Sequence, residues 1–417
     1  MEVDAATQPT TLTAEQIGNA DLLIGLLADL SKEDVGCLRD SLKALPGSPR
    51  VVVLQSGAAA SAPPSPTLDP WEHSSPVVML PWSPTADGAA PTAIETFANA
   101  YQSIFAVGTK LDVKACCVVA SKIENPTPGW VCRLVQPLLA GDFDLVAPCY
   151  ERRRFEGLLN NSIVGPLTRS LYGKRIQNPM GPDFGLSRKL FEEVVGAEED
   201  HAAGNGLGLI ARLAPVASRE TFRVCQTYLG SRIYPPVDWT NASALLTDIL
   251  GPIFLSMEKN APKWQQLRGS ALITTLNEQE SRAQSPNPAP AIDVARLINT
   301  FQLGMRDLQE IWRLVLPPAT LFELHHVSPQ KFRIPDELWV RIIYDFALAH
   351  RLRTINRVHL LRSLTPLYLG WVASYALETE GADSAGLNRR FERLSIAYEA
   401  GKPYLISRWR WPDRFNP

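Results

Sequence analysis

A single acid lies in the segment 181–187, which reads GPDFGLS. The carboxylate of Asp183 could orient or deprotonate a hydroxyl group of a bound substrate. Alternatively, Asp183 caps a helix that we expect to begin near Ser187, or holds the turn through its side chain. The sequence leaves both roles open.

Three consecutive arginines, Arg152, Arg153 and Arg154, follow a predicted strand. Guanidinium groups bind phosphates and carboxylates in a forked geometry, so Arg152 and Arg154 are candidate ligands for an anion. Adjacent arginines on a loop are equally explained as solvated surface charges. Asn160, on the next predicted helix, could hydrogen-bond a ligand or cap that helix.

No arrangement of residues in the sequence is typical of a metal site. His325 and His326, with Glu323 nearby, are adjacent, and adjacent side chains diverge on a helix or a strand. The six cysteines lack the paired spacing of zinc ligands, and we interpret most of them as buried thiols in a reducing compartment. We therefore predict no metal ligands and no cofactor.

The composition is that of a globular protein: 417 residues, 45% of them hydrophobic and 20% charged. A formal net charge of -2 gives no overall attraction to nucleic acid or to anionic membranes. No apolar run approaches the roughly 18 residues of a membrane span. The first residues, MEVDAATQPTT, do not resemble a secretion signal, so we expect a cytoplasmic location.

The first half of the chain alternates short apolar runs with helical patterns. The predicted strands are 22–27, 51–54, 77–80, 115–119 and 143–147, and the predicted helices are 31–45, 94–107 and 134–139. This alternation predicts an α/β fold with a mostly parallel sheet covered by helices on both faces. Residues 57–66, rich in alanine, serine and proline, are expected to form a surface loop.

Helical periodicity dominates the second half of the chain. The predicted helices there are 245–257, 292–316, 337–350, 359–378 and 387–400, with a proline-rich link at 281–291. We therefore expect three parts: a disordered tail at 1–18, a nucleotide-binding α/β domain at 19–240, and a helical region at 241–417 packed on it.

One stretch of the sequence, 144–187, carries a set of spaced motifs. They are Ala147 and Pro148 followed by Tyr150, then Pro166, Leu167, Arg169 and the run Leu171, Tyr172 and Gly173, and finally 177–187. This set resembles the mannosylglycerate synthase and glucosyl-3-phosphoglycerate synthase group of retaining glycosyltransferases. Weaker similarities at 21–25, 222–226, 364–370 and 402–405 extend the resemblance over most of residues 20–410.

The resemblance implies a GT-A fold at 19–240 and hexose transfer from a nucleotide sugar to a small, anionic acceptor. It places Asp183 opposite the reacting sugar and the acceptor hydroxyl. It places Arg152, Arg154 and Asn160 on the acceptor side. Gln55, Ser121 and Lys122, which follow two predicted strands, are then candidates for the donor side.

The sequence departs from the family where the donor binds. Relatives hold a divalent metal with a DXD motif after the fourth strand, whereas this chain continues with Ala120, Ser121 and Lys122. The segments 26–29, 95–99 and 206–208, and Tyr234 in place of a histidine, depart in the same way. Lys122 could offset diphosphate charge in place of the metal, or it is an exposed loop lysine.

Two functions follow from these residues. In the first, the chain transfers a hexose by a metal-independent variant of the family reaction. In the second, it is an inactive homologue that binds a sugar, a nucleotide or a protein, for example a paralogous enzyme. The expected partners are a nucleotide sugar and a small acceptor, without nucleic acid, and the resemblance also suggests a homodimer.

Overall fold

The computed structural model describes residues 19–27, 30–55, 77–81, 93–123, 129–151, 153–196, 206–233, 239–277, 292–328 and 331–412. The predicted tail 1–18, the loop 57–66, the link 281–291 and Arg152 lie outside these ranges, as does the side chain of Lys122.

Ten strands occur within the described ranges, and eight of them form one sheet. They are β1 (Leu22–Leu26), β2 (Val51–Gln55), β3 (Val77–Pro81), β4 (Ala115–Val119), β5 (Lys122–Ile123), β6 (Leu145–Cys149), β7 (Phe184–Ser187), β8 (Val224–Tyr228), β9 (Arg232–Ile233) and β10 (Thr274–Leu276). The order in the main sheet is β10-β8-β6-β7-β4-β1-β2-β3. Only β7 runs antiparallel to its neighbours in this sheet, and β5 and β9 form a separate antiparallel pair.

The sequence between and after these strands forms helices. They are α1 (Lys32–Lys43), α2 (Ala93–Leu111), α3 (Cys132–Leu139), α4 (Gly165–Tyr172), α5 (Arg188–Gly196), α6 (Gly206–Ala217), α7 (Ala242–Lys259), α8 (Ala261–Trp264), α9 (Val294–Asp307), α10 (Gln309–Val315), α11 (Pro318–His325), α12 (Asp336–Leu352), α13 (Arg357–Ser363), α14 (Thr365–Glu378) and α15 (Ser384–Arg410). A single π-helical turn, Asn160–Val164, leads into α4. No helix within the described ranges is both long and apolar enough to cross a membrane.

Helices cover both faces of the sheet, because alternate residues of each strand face opposite sides. Leu23 of β1 and Cys116 of β4 belong to the apolar cluster that includes α2, whereas Ile24 and Cys117 belong to the cluster that includes α1 and α3. Every residue of β1 and β4 is buried. The predicted α/β class, a mostly parallel sheet covered by helices with a helical C-terminal region, is therefore confirmed.

The structure differs from the expected helices in three places. The helix predicted at 292–316 is divided into α9 and α10 at Leu308, and that predicted at 359–378 is divided into α13 and α14. Pro366 lies in the first turn of α14, where a proline is tolerated because its missing N–H has no partner there. Helix α15 continues through Pro403 to Arg410.

The helical region is tied to the sheet through the π-helical turn and α4. Trp339 and Tyr398 both donate hydrogen bonds to the carbonyl of Ser162, at 3.2 and 3.0 Å. Lys402 of α15 donates to the carbonyls of Ser170 and Leu267, at 2.6 and 2.9 Å, and so caps the C-terminal end of α4. Strand β10, which pairs with β8, also comes from the part of the chain where only helices were expected.

Candidate functional site

The candidate site lies at the carboxyl ends of β4, β6 and β8, the edge at which open α/β sheets commonly bind ligands. Strand β4 ends at Val119 and is followed by Ala120 and Ser121. Strand β6 ends at Cys149 and is followed by Tyr150. The antiparallel strand β7 lies between them, and Asp183 immediately precedes it.

Asp183 is fully buried and holds the end of β4. Its Oδ1 atom accepts hydrogen bonds from the backbone N–H groups of Ala120, at 2.7 Å, and Ser121, at 2.8 Å. Its Oδ2 atom accepts a hydrogen bond from the phenol of Tyr150. Because both oxygens have protein donors, the burial of this carboxylate is compensated.

Tyr150 connects the ends of β4 and β6. Its hydroxyl lies 3.3 Å from the hydroxyl of Ser121, and its ring is buried. Burial, together with the negative charge of Asp183, raises the pKa of Tyr150 well above its usual value, so the phenol stays protonated and acts as a donor. The guanidinium of Arg232, on β9, lies 5.8 Å from the centre of the Tyr150 ring.

Backbone and amide contacts fix the loop between α4 and β7. A Cβ atom on Gly181 would lie 2.3 Å from Cγ of Pro148, so the loop passes directly against β6. The side chain of Gln177 accepts from the backbone N–H of Tyr150 at 3.1 Å, and the backbone N–H of Gln177 donates to the side chain of Gln226 at 3.0 Å. Asn160 donates to the carbonyl of Gln177 at 3.0 Å.

A cavity of about 590 Å³ lies beside the carboxyl ends of β6 and β8, against α4 and α15. Five amide side chains line it: Asn160, Asn161, Gln177, Gln226 and Asn388. Residues with hydroxyl groups line it as well: Tyr150, Tyr228, Thr275, Ser384 and Ser395. The cavity therefore offers mainly neutral hydrogen-bonding groups.

Charged side chains also line this cavity, and three of them, Arg169, Arg175 and Glu392, are paired with one another. Arg169 of α4, which is 6% exposed, forms a two-point pair with Glu392 of α15, at 2.6 and 2.9 Å. Arg169 also contacts Glu399 at 3.2 Å. Arg175 lies 3.6 Å from Glu392 and donates to Ser270 at 2.9 Å.

The structure brings together three of the residues singled out from the sequence. Asp183 and Ser121 are hydrogen-bonded at the end of β4, and Asn160 lines the cavity. Gln55 is half-buried at the end of β2, and the sheet register aligns it with Leu26 and, through β1, with Val119. The catalytic role of Asp183 stays a prediction, and its contacts favour the alternative in which it holds a turn.

Arg154 packs against the C-terminal end of α14. Its guanidinium donates to the hydroxyl of Thr379, at 3.2 Å, and to the carbonyl of Ala376, at the C-terminal end of α14. A cation at this end of a helix is favoured by the exposed carbonyls and the helix dipole. Arg154 does not line the cavity, and its contacts explain its position by packing.

Tyr150, Glu392 and Gln226 were not candidates from the sequence. Tyr150 belongs to the recognised motif, so its contact with Asp183 could have been suspected from that motif. Glu392 lies more than 200 residues from Arg169, on a helix that carries one other acid, Glu399. Nothing local in the sequence distinguishes it.

No group of three or more His, Cys, Asp or Glu side chains that could hold a metal ion occurs within the described ranges. The Nδ1 atom of His326 lies 2.7 Å from the carbonyl of Phe322 in its own helix. Four of the six cysteines are buried, as expected. Burial raises the pKa of Cys116 and Cys225 to about 12 and that of Cys132 to about 11, so these thiols stay protonated at neutral pH.

The fold and the site together define an α/β protein with a polar cavity at the carboxyl edge of its sheet. No protein-family model and no curated protein matches the chain. Similar solved structures are those of glucosyl-3-phosphoglycerate synthase from Mycobacterium tuberculosis. One, with Mn2+, UDP-glucose and phosphoglyceric acid, is 17% identical, with 60% of this chain and 85% of that chain covered and a TM-score of 0.34. Another, with Mg2+ and UDP, is 17% identical, with 59% and 84% covered and a TM-score of 0.36. At scores this low, the likeness carries no argument about function.

Proposed function

We propose that this protein is a GT-A glycosyltransferase that moves a hexose from a nucleotide sugar to a small acceptor, without a metal held by carboxylates at the end of β4. The observation that carries the proposal is the placement of Tyr150. It lines the cavity and is hydrogen-bonded to Asp183 and Ser121 at the strand end where relatives bind the donor. One residue thus joins a candidate acceptor cavity to a candidate donor edge.

The placement of the motif residues supports the proposal. Tyr150 directly follows β6, Pro166 and Arg169 belong to α4, and Gln177 lies in the loop after that helix. These four residues, from separate motifs of the stretch 144–187, all line the cavity, as residues of a common site would.

On the donor side, the register of β2, β1 and β4 puts Gln55 and the start of the Ala120–Lys122 segment on the same edge of the sheet. Lys122 follows in β5, where its backbone pairs with Ile233. In the proposed reaction, the ammonium of Lys122 offsets the charge that develops on the departing diphosphate. The small acceptor occupies the cavity lined by Asn160.

A second function, binding without transfer, is favoured by the burial of Asp183. Its two carboxylate oxygens accept hydrogen bonds from the protein, so the carboxylate has no open side from which to take a proton from an acceptor. A protein of this kind would bind a sugar or a nucleotide sugar and leave it unchanged.

Calorimetric titration of the full chain with a panel of nucleotide sugars tests the proposal, with EDTA and then with Mn2+ or Mg2+. Binding in EDTA, with release of the nucleoside diphosphate when candidate acceptors are added, supports metal-independent transfer. Binding without release supports the second function. Absence of binding in both conditions excludes the transferase, and binding only with metal contradicts the proposed role of Lys122.

Comparing the variants Lys122→Gln and Lys110→Gln separates a role of Lys122 in donor binding from a general effect of net charge. We expect Lys122→Gln to weaken binding of the nucleotide sugar by about tenfold, the size of one charge-assisted contact. Lys110→Gln, at the exposed C-terminal end of α2, changes the net charge equally and should leave binding unchanged.

A further inference from the structure

The cavity beside α4 contains an acid where a bound anion would be expected. Arg169 and Arg175 point towards the same region, and such a pair is suited to a phosphate or a carboxylate. Glu392 already occupies it: one oxygen lies 2.9 Å from Nη2 of Arg169 and 3.6 Å from Arg175, and the other lies 2.6 Å from Nη1 of Arg169. The side chain of Glu392 is 46% exposed, so it meets the cavity as well as the arginines.

The charges of the two arginines beside Glu392 are offset by acids. Arg169 and Arg175 are both paired with Glu392, and Arg389 and Glu151 line other parts of the cavity. A third glutamate, Glu399, contacts Arg169 at 3.2 Å. An anion that binds between Arg169 and Arg175 would therefore have to displace Glu392 or approach its exposed carboxylate, and both are unfavourable.

Neutral ligands meet no such cost. The contacts described above use the amide nitrogen of Asn160 and the amide oxygen of Gln177, so the opposite atom of each amide can still bond to a ligand with several hydroxyl groups. The exposed part of Glu392 can accept hydrogen bonds from such hydroxyl groups while it remains paired with Arg169. Tyr228 and Leu272 add apolar surface to the lining.

We propose that this cavity takes an uncharged polyhydroxylated ligand, a neutral sugar or polyol, and that Glu392 determines this specificity by excluding phosphates and carboxylates. The inference rests on the proposed function in treating the cavity as the acceptor site. It departs from the anionic acceptor that the sequence resemblance implies.

Phosphate binding tests the role of Glu392 directly. Inorganic phosphate is titrated into the full chain and followed by calorimetry and by the 31P line width. The wild type should show no saturable binding. Glu392→Gln removes the acid that contacts both Arg169 and Arg175, although Glu399 still contacts Arg169, and should bind phosphate at least about tenfold more tightly than the detection limit set with the wild type. Glu323→Gln, whose partner Arg341 lies outside the cavity, alters the net charge equally and should show no gain.

The wild type alone provides a second test that does not depend on how a variant folds. Saturation-transfer NMR with glucose, mannose and glycerol should detect at least one of these neutral probes. Its signal should persist when the salt concentration is raised, because no ion pair is formed. Phosphate binding by the wild type, no gain in Glu392→Gln folded to the wild-type melting temperature, or no signal from any neutral probe would each overturn the inference.

None of these measurements contains a nucleotide sugar. Their failure would therefore remove the neutral-ligand inference and leave the transferase proposal to the donor titration. Conversely, if the donor titration fails, the results with phosphate and with the neutral probes still decide which ligands the cavity binds.

Discussion

The phenol of Tyr150 donates a hydrogen bond to the carboxylate of Asp183, and neither side chain is appreciably exposed. The same carboxylate receives two backbone N–H groups from the end of β4. The contact therefore links three elements of the candidate site: the end of β4, the end of β6 and the loop before β7. Substituting Asp183 or Tyr150 should therefore lower the free energy of unfolding.

Asp183→Ala should lower the free energy of unfolding by about 3 kcal/mol, because it leaves two buried N–H groups and one phenol without their acceptor. Asp183→Asn should cost less, about 1 kcal/mol, since the amide oxygen can still accept from Ala120 and Ser121. Urea denaturation followed by tryptophan fluorescence measures both. Equal stability of the wild type and Asp183→Ala would contradict a role in holding the strand end.

Tyr150 and Ser121 should be energetically coupled through their hydroxyl groups, which lie 3.3 Å apart. Tyr150→Phe removes the hydrogen bonds to both Asp183 and Ser121 and should cost about 2 kcal/mol. Ser121→Ala should cost about 1 kcal/mol in the wild type and less in Tyr150→Phe. A double-mutant cycle from urea denaturation gives the coupling, and strict additivity of the two changes would show that the hydroxyl contact contributes nothing.

The sequence predicts the sheet better than the site. Strands β1, β2, β3 and β4 were expected within one residue of their observed ends, because a doubly covered parallel strand requires an uninterrupted apolar run. Strand β10 has only three residues, and its sequence, TTL, has no such run. The divisions between α9 and α10 and between α13 and α14 were missed, because apolar periodicity continues across them.

The site depends on contacts between residues far apart in the sequence. Asp183 was identified from its motif, but its contacts with the backbone of Ala120 and Ser121 could not be predicted. Every residue except proline has a backbone N–H group, so the sequence does not show which of them bond to Asp183. Arg169 was part of the recognised motif, yet the acid that neutralises it lies 223 residues away. An arginine that is already paired with an acid is less able to bind an anion, and the fold determines which acid reaches it.

Gly185, in the motif that contains Asp183, is required by packing. A Cβ atom there would lie 2.5 Å from the carbonyl oxygen of Leu134 and 2.7 Å from Cδ1 of Leu138, because α3 crosses directly over β7. Gly185→Ala should therefore destabilise the protein by about 2 kcal/mol. The measurement is again the midpoint of urea unfolding.

Gly36 provides the matched control for that substitution. It lies within α1, and a Cβ atom there would meet no other atom within 4 Å. Gly36→Ala should raise the free energy of unfolding by up to about 1 kcal/mol, since alanine is the better helix former. Similar effects of the two substitutions would mean that the contact between α3 and β7 is not as close as described.

The stability of the helical region should depend on pH through Asp345 of α12. This carboxyl is 1% exposed and contacts Tyr404, at 2.8 Å, and Arg408, at 3.2 Å, both on α15. Burial raises its pKa to about 7, and the charge of Arg408 only partly opposes this effect. Between about pH 4 and pH 7, the folded state therefore keeps a proton on Asp345 that the unfolded state, with a pKa near 4, has released.

Because the folded pKa is the higher one, this contribution to stability is complete below about pH 4 and is lost as the pH rises through about 7. Asp345→Asn cannot titrate, so the free energy of unfolding of the wild type should fall relative to that of the variant as the pH rises from about 4 to about 7, between the two pKa values. Asp40→Asn, an exposed acid on α1, should follow the wild type. Parallel curves for the wild type and Asp345→Asn would mean that Asp345 is already ionised below this range and that Arg408 outweighs the effect of burial.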